Sequence, residues 1–160
     1  LICVQSYGIY NLLPGSFSYK LNQKVLSKYA SGYNLYDWAN KVLPDDATAL
    51  IKHRSFYFAE KNLVYVGMTG YFNNLSLDKK KFFVKKIKEK KPNYIIFYGT
   101  KNHFNYDGFN FKDCTRGIFS KKIDVGFEET RNPFNKGKKF YNAYIYNLDS
   151  EKLEECIKFN

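Results

Sequence analysis

A chain of 160 residues, 44% hydrophobic and 26% charged, is long enough to bury one core and short for two. Its net charge of +11 is almost all lysine, because only Arg54, Arg116 and Arg131 among the 26 basic residues are arginine, and a mobile ammonium group is poorly suited to bidentate recognition. The 15 Phe and 15 Tyr exclude a disordered basic tail, and no run of ~18 apolar residues is present to span a bilayer unaided.

The chain begins at Leu1 rather than Met, so it reads as part of a longer product. Residues 1–16 carry Leu1, Ile2, Cys3, Val4, Ile9, Leu12 and Leu13, broken by Gln5, Ser6, Gly8 and Asn11. They read as an interfacial or packed, strand-like leader to a single domain over residues 17–160. No basic n-region or small-residue cleavage site marks a signal peptide.

Leu21, Val25, Leu26, Tyr29 and Ala30 recur at helical spacing and predict an amphipathic helix over 17–30, stopped near Gly32. A second helix follows, with Asn34 as its cap, Leu35, Trp38, Ala39 and Val42 as its buried stripe, and Pro44, Asp45 and Asp46 as its closing turn. Residues 48–52 predict a buried strand that runs into His53, Arg54 and Ser55. Two extended pieces come next, at 56–58 and 62–66.

Asp78 is placed to cap the most basic helix, 79–90, with Phe82, Phe83, Ile87 and Val84 inward and seven lysines outward. Pro92 stops it, and Tyr94–Tyr98 is the clearest buried strand of the chain. Residues 99–122 show neither period and read as a long aromatic excursion. Extended runs at 123–130 and 140–148 flank the turn chemistry of Asn132, Pro133 and Gly137 and predict an antiparallel hairpin. A closing helix capped by Asp149 or Ser150 carries Leu153, Cys156 and Ile157. The order of elements predicts an α/β fold: a mixed, partly parallel sheet with flanking helices and a C-terminal antiparallel hairpin. A crossover through the basic helix sets 48–52 or 62–66 parallel to 94–98.

Chemistry is sparse in this sequence. His53 and Arg54 end a strand, where a base or anion-binding role competes with an ordinary solvated turn, and Arg131 with Asn132 is a second candidate for a phosphate or carboxylate. Asp45 and Asp46 read as turn residues rather than as an acid/base pair. Glu129 and Arg131 share a strand face, as an internal ion pair would. No phosphate-cradling loop, nucleophile elbow, dinucleotide fingerprint or metal motif occurs, which disfavours a self-contained enzyme and calls for no cofactor. Cys3, Cys114 and Cys156 lack metal-site spacing. In an oxidising compartment Cys114 and Cys156 would close a loop of about 40 residues, stabilising by about 4 kcal/mol on the chain-entropy account; in a reducing one all three are buried thiols. The lysines of 79–91 fit either nucleic-acid phosphates or an anionic bilayer.

Tyr36, Asp37, Trp38, Ala39 and Asn40, then Leu43, Pro44, Asp45, Asp46 and Ala47, Leu50 and Ile51, and later Lys91, Pro92, Asn93, Tyr94, Ile95 and Ile96 form a pattern. A Trp-bearing helix, a Leu-Pro-x-Asp-Ala turn, a short strand, a basic helix and a Tyr-Ile-Ile strand follow in turn over residues 33–98. This resembles the carboxy-terminal domains that follow the last membrane span of protein mannosyltransferases and aminoarabinose transferases, polytopic enzymes that use lipid-linked sugars. The resemblance implies a non-catalytic accessory domain, the catalytic carboxylates of that family belonging to loops of its membrane part. It also implies an extracytoplasmic, periplasmic position in which Cys114 and Cys156 pair, a leader that is the stub of a membrane helix, and partners in the membrane part of the same polypeptide and in an anionic membrane surface or lipid phosphate. His53, Arg54, Arg131 and Asn132 are then the anion contacts. Charge alone supports the alternative, a cytoplasmic nucleic-acid-binding or nuclease-like domain.

Overall fold

The computed structural model describes residues 2–51, 55–66, 76–99, 105–106, 109–128 and 138–153. Helix α1 (Ile2–Leu12) runs through a 3-10 turn (Leu13–Ser16) into α2 (Tyr19–Tyr29), and α3 (Tyr33–Val42) follows. Strands β1 (Thr48–Ile51) and β2 (Asn62–Tyr65) come next, then α4 (Leu77–Glu89) and β3 (Tyr94–Gly99). The short β4 (Asn105–Tyr106) and β5 (Phe109–Asn110) precede the long β6 (Thr115–Ile123), and β7 (Phe127–Glu128), β8 (Lys138–Lys139) and β9 (Asn142–Leu148) complete the strands.

Five strands form one mixed sheet in the order β2-β1-β3-β9-β6. β1 pairs in parallel with β2 and with β3, bringing Ile51 beside both Tyr65 and Ile96. The parallel pairing expected across the basic helix is therefore present. β9 pairs antiparallel with β3 and with β6, and β7 pairs antiparallel with β8, so the C-terminal hairpin is present too, with its first arm beginning at Thr115 rather than at 123.

Side-chain alternation along the strands splits the core in two. Leu50, Ile95, Phe97, Tyr146 and Leu148 meet Val84 and Ile87 of α4 on one face. Ala49, Ile51, Ile96, Ala143 and Ile145 meet Leu35, Tyr36, Trp38 and Ala39 of α3 on the other. Ala49 and Ala143, both fully buried, leave room on that second face for the Tyr36 and Trp38 rings. On the first face Phe97 stands edge-on to Phe111 and to Tyr146, each at 5.7 Å between ring centres, a geometry the ring quadrupoles favour.

Several local expectations give way to tertiary partners. The leader is helical, with the Asn11 side-chain amide donating to the Tyr7 carbonyl one turn back (2.9 Å). No helix among the described residues is long and apolar enough to cross a membrane. Gly32, at a left-handed φ of 86°, is the residue before α3, so Asn34 does not cap it; the Asn34 amide instead donates to the carbonyls of Ser27 (2.6 Å) and Gly126 (2.9 Å). Ser76 precedes α4 and Asp78 sits in its first turn.

Phe82 is 62% exposed, because at 100° per residue it falls on the side of α4 opposite Val84 and Ile87. Phe56–Phe58 is a 3-10 turn rather than a strand, held by Asn40, whose amide donates to the Phe58 carbonyl and whose Oδ1 accepts from the Glu60 N–H. Within 99–122 lie β4, β5 and most of β6. Two register shifts in β6, between Arg116 and Ile118 and between Ile118 and Ser120, erase the alternation that would have revealed it. After β9 a 3-10 turn (Ser150–Lys152), capped by the Asp149 carboxylate accepting from the Glu151 N–H, stands where a helix was expected to begin; Cys156 and Ile157 lie outside the described residues.

Candidate functional site

The anion contacts chosen by residue type, His53, Arg54, Arg131 and Asn132, all lie outside the described residues. So does the expected pairing of Glu129 with Arg131; the neighbouring Glu128 meets Lys28 of α2 at 3.4 Å. Asp45 pairs with Lys61, whose ammonium holds the Asp45 carboxyl below its ordinary value by hydrogen bonding and charge. An exposed carboxylate kept ionised beside a lysine is no general acid. Cys114 is buried and disulfide-bonded; the side chains of the two other cysteines, Cys3 and Cys156, are outside the described residues. Among the described residues no cluster of His, Cys, Asp and Glu fits a metal ion.

Tyrosines gather where the parallel strands end. Tyr65 closes β2, Tyr98 lies near the end of β3, and Tyr36 reaches in from α3 with no exposed surface. Burial pushes the Tyr36 hydroxyl far above the ordinary 10.0, and the nearby Tyr98 and Tyr65 push in the same direction. Tyr98 stands edge-on to Tyr141 at 5.4 Å. A shallow depression beside Tyr98 and Tyr141 is lined by Ser31, Gly32 and Leu35 at the start of α3 and by Tyr98, Val125, Phe127 and Tyr141. Among the described residues its lining holds no carboxylate, imidazole or thiol, so they offer aromatic surface but no acid/base pair.

The N-terminal hairpin is different in kind. Asn22 of α2 donates to the Gly15 carbonyl (3.3 Å), and the Tyr29 hydroxyl donates to Asn11 Oδ1 (2.7 Å), tying α2 to the turn and to α1. Ser18 starts α2 by accepting from the Leu21 N–H (3.2 Å). Neither the turn nor α2 has a buried residue, although Leu21, Val25, Leu26 and Tyr29 have the spacing of a buried stripe. Ile9 and Tyr10 of α1, Leu12, Leu13 and Phe17 about the turn, and Tyr19 and Leu21 of α2 are all exposed, Phe17 by 72% and Tyr19 by 78%. Isolated exposed apolar residues are ordinary, whereas a run of them marks a contact surface. Along the sequence this run carries cations alone: the first acidic residue of the chain is Asp37, while Lys20, Lys24 and Lys28 all lie in α2, and Lys28 meets Glu128 from the body.

A family model for the DUF1420 C-terminal domain matches residues 27–160. The chain belongs to that family. No curated protein and no solved structure matches it. The span matched to the DUF1420 C-terminal domain covers both core layers and the aromatic depression, and it begins near the end of α2, so the exposed tip of the hairpin lies ahead of it.

Within the DUF1420 C-terminal domain the second basic surface is α4, where Lys79, Lys81, Lys85 and Lys86 are exposed. Lys86 pairs with Glu89 at 2.9 Å and its ammonium lies 5.6 Å from the centre of the Phe82 ring. That ring is engaged by a cation from its own helix.

The sequence reading flagged the leader as interfacial but missed Phe17, Tyr19 and Leu21, which it assigned to the domain. The signal that would have found them is the lack of any acidic residue before Asp37.

Proposed function

We propose that this DUF1420 C-terminal domain is a non-catalytic accessory domain of a membrane glycosyltransferase-like protein. It lies against the extracytoplasmic face of the membrane and positions a phosphate-bearing lipid carrier or acceptor. The observation that carries this reading is the acid-free hairpin with its run of exposed Leu, Ile, Phe and Tyr side chains, the composition expected of a segment in contact with a bilayer interface. The disulfide at Cys114 favours an oxidising compartment. The family description, which names a C-terminal domain, is in keeping with an accessory part of a longer chain. His53, Arg54, Arg131 and Asn132 are the anion contacts of this reading, with the membrane part of the same polypeptide as first partner.

The test is to sequence the complete gene product and map its topology with a membrane-impermeant label. Several upstream apolar spans of ~20 residues and labelling of this domain from outside are expected. A product without such spans, or labelling only after the membrane is breached, overturns the proposal.

The lysine face of α4 supports one rival, a nucleic-acid-binding domain. Duplex DNA retained with a steep loss of affinity between low and moderate salt would favour it.

A further inference from the structure

We propose that the tip of the α1–α2 hairpin is a membrane-docking element that inserts its apolar side chains into a bilayer and uses the α2 lysines to select anionic lipid. This deepens the membrane reading above, on which it rests, by naming the surface that makes the contact and the lipid chemistry it prefers.

Position and exposure come first. Leu12, Leu13 and Phe17 surround the turn, Tyr19 and Leu21 follow on the first turns of α2, and every one of them is exposed. The hairpin is not a loose tail, since Ser18 caps α2 and Asn22 and Tyr29 bind it to the turn and to α1. Its far end is fixed to the domain by Asn34, which reaches both Ser27 and Gly126, and by the pair of Lys28 with Glu128. A pre-ordered apolar tip on an anchored stem enters a bilayer with little further loss of conformational freedom.

Charge then selects the occupant. A second copy of this chain, also at +11, must approach against like charge. An anionic headgroup layer attracts Lys20 and Lys24, both exposed, on a segment with no acidic residue to oppose them. Phenylalanine and leucine at the turn flanked by Tyr10 and Tyr19 also match the depth profile of an interface, with apolar bodies below and phenol hydroxyls at the headgroups.

The test uses the full 160-residue chain. Co-sedimentation compares vesicles of phosphatidylcholine mixed with phosphatidylglycerol against vesicles of phosphatidylcholine alone, with inorganic phosphate as competitor. Binding to the mixed vesicles that free phosphate does not displace is expected. Lys20→Gln with Lys24→Gln lowers the partition by about 25-fold, at roughly fivefold for each lysine. Leu13→Ser with Phe17→Ser lowers it by at least about tenfold. Circular dichroism of each variant matches the parent, because all four residues are exposed. In Phe17→Trp the new indole is quenched by brominated lipid, and Trp38, which is buried, is not.

Equal binding by parent and hairpin variants, or an unquenched Phe17→Trp, overturns the docking element while leaving a membrane contact elsewhere on the domain intact. A dimer that Phe17→Ser abolishes, without vesicle binding, overturns it in favour of a second copy. Loss of the upstream spans from the complete gene product would sink the accessory-domain reading without touching the vesicle result, so the two failures are told apart.

Discussion

The sheet body and the N-terminal hairpin are built from the same kinds of residue, yet they end in opposite environments. In β3 and β9 nearly every Ile, Phe, Ala and Leu is covered on both faces, by α4 on one side and α3 on the other. In α2 the Leu, Val and Tyr stripe lies beside the turn, the short β7, part of α3 and, through Tyr29, Asn11 of α1, and no residue of the helix is buried. Whether an apolar residue becomes core depends on a complementary face arriving from elsewhere in the chain, and composition alone does not decide it.

Core truncation breaks the comparison most sharply. Trp38→Ala should cost about 3–5 kcal/mol in urea unfolding, because it removes a large buried ring, while Leu13→Ala and Phe17→Ala at the tip should stay within about 0.5 kcal/mol. A tip variant as costly as the core one would mean that the hairpin is structural.

Reduction of the disulfide at Cys114 should cost about 2–4 kcal/mol, and thiol titration of the unfolded, unreduced protein should find one free cysteine.

Asn34→Ala strands two carbonyls that the body and α2 now share. A loss of about 1–3 kcal/mol is expected, with faster hydrogen exchange in α2 and little change in β3.

The most gradual effect concerns pH. The Tyr36 hydroxyl is raised above its ordinary 10.0 by burial, so its contribution is complete below that value and is lost as pH climbs above it, where the unfolded chain releases the proton first. Stability should fall by about 1.4 kcal/mol per pH unit for each such tyrosine. Tyr36→Phe should flatten that slope, measured by thermal melts taken from neutral to strongly alkaline buffer.

Much of the body was legible because its periodicity is unbroken. The stripe of Leu35, Trp38 and Ala39 announced α3, the run from Tyr94 to Tyr98 announced β3, and Pro44 and Pro92 marked the ends of their helices. What escaped was decided by distant partners. Asn40, in the preceding helix, curls Phe56–Phe58 into a 3-10 turn, and Asn34 leaves its expected capping role for Gly126, far along the chain. Of the candidate site, the apolar leader was visible, but the exposure of Phe17, Tyr19 and Leu21 was not, since it follows from which elements fail to cover α2. Choosing His53, Arg54 and Arg131 rested on residue type alone, with no geometry behind it.

Strand β6, at one edge of the sheet, carries Ile118, Phe119 and Ile123 into solvent and would be an inviting template for another chain to zip onto. Its two offsets against β9 and the left-handed backbone of Gly117 (φ 50°) interrupt the straight ladder that such zipping needs. A mutation that ironed out this stretch would offer a straighter edge for such pairing.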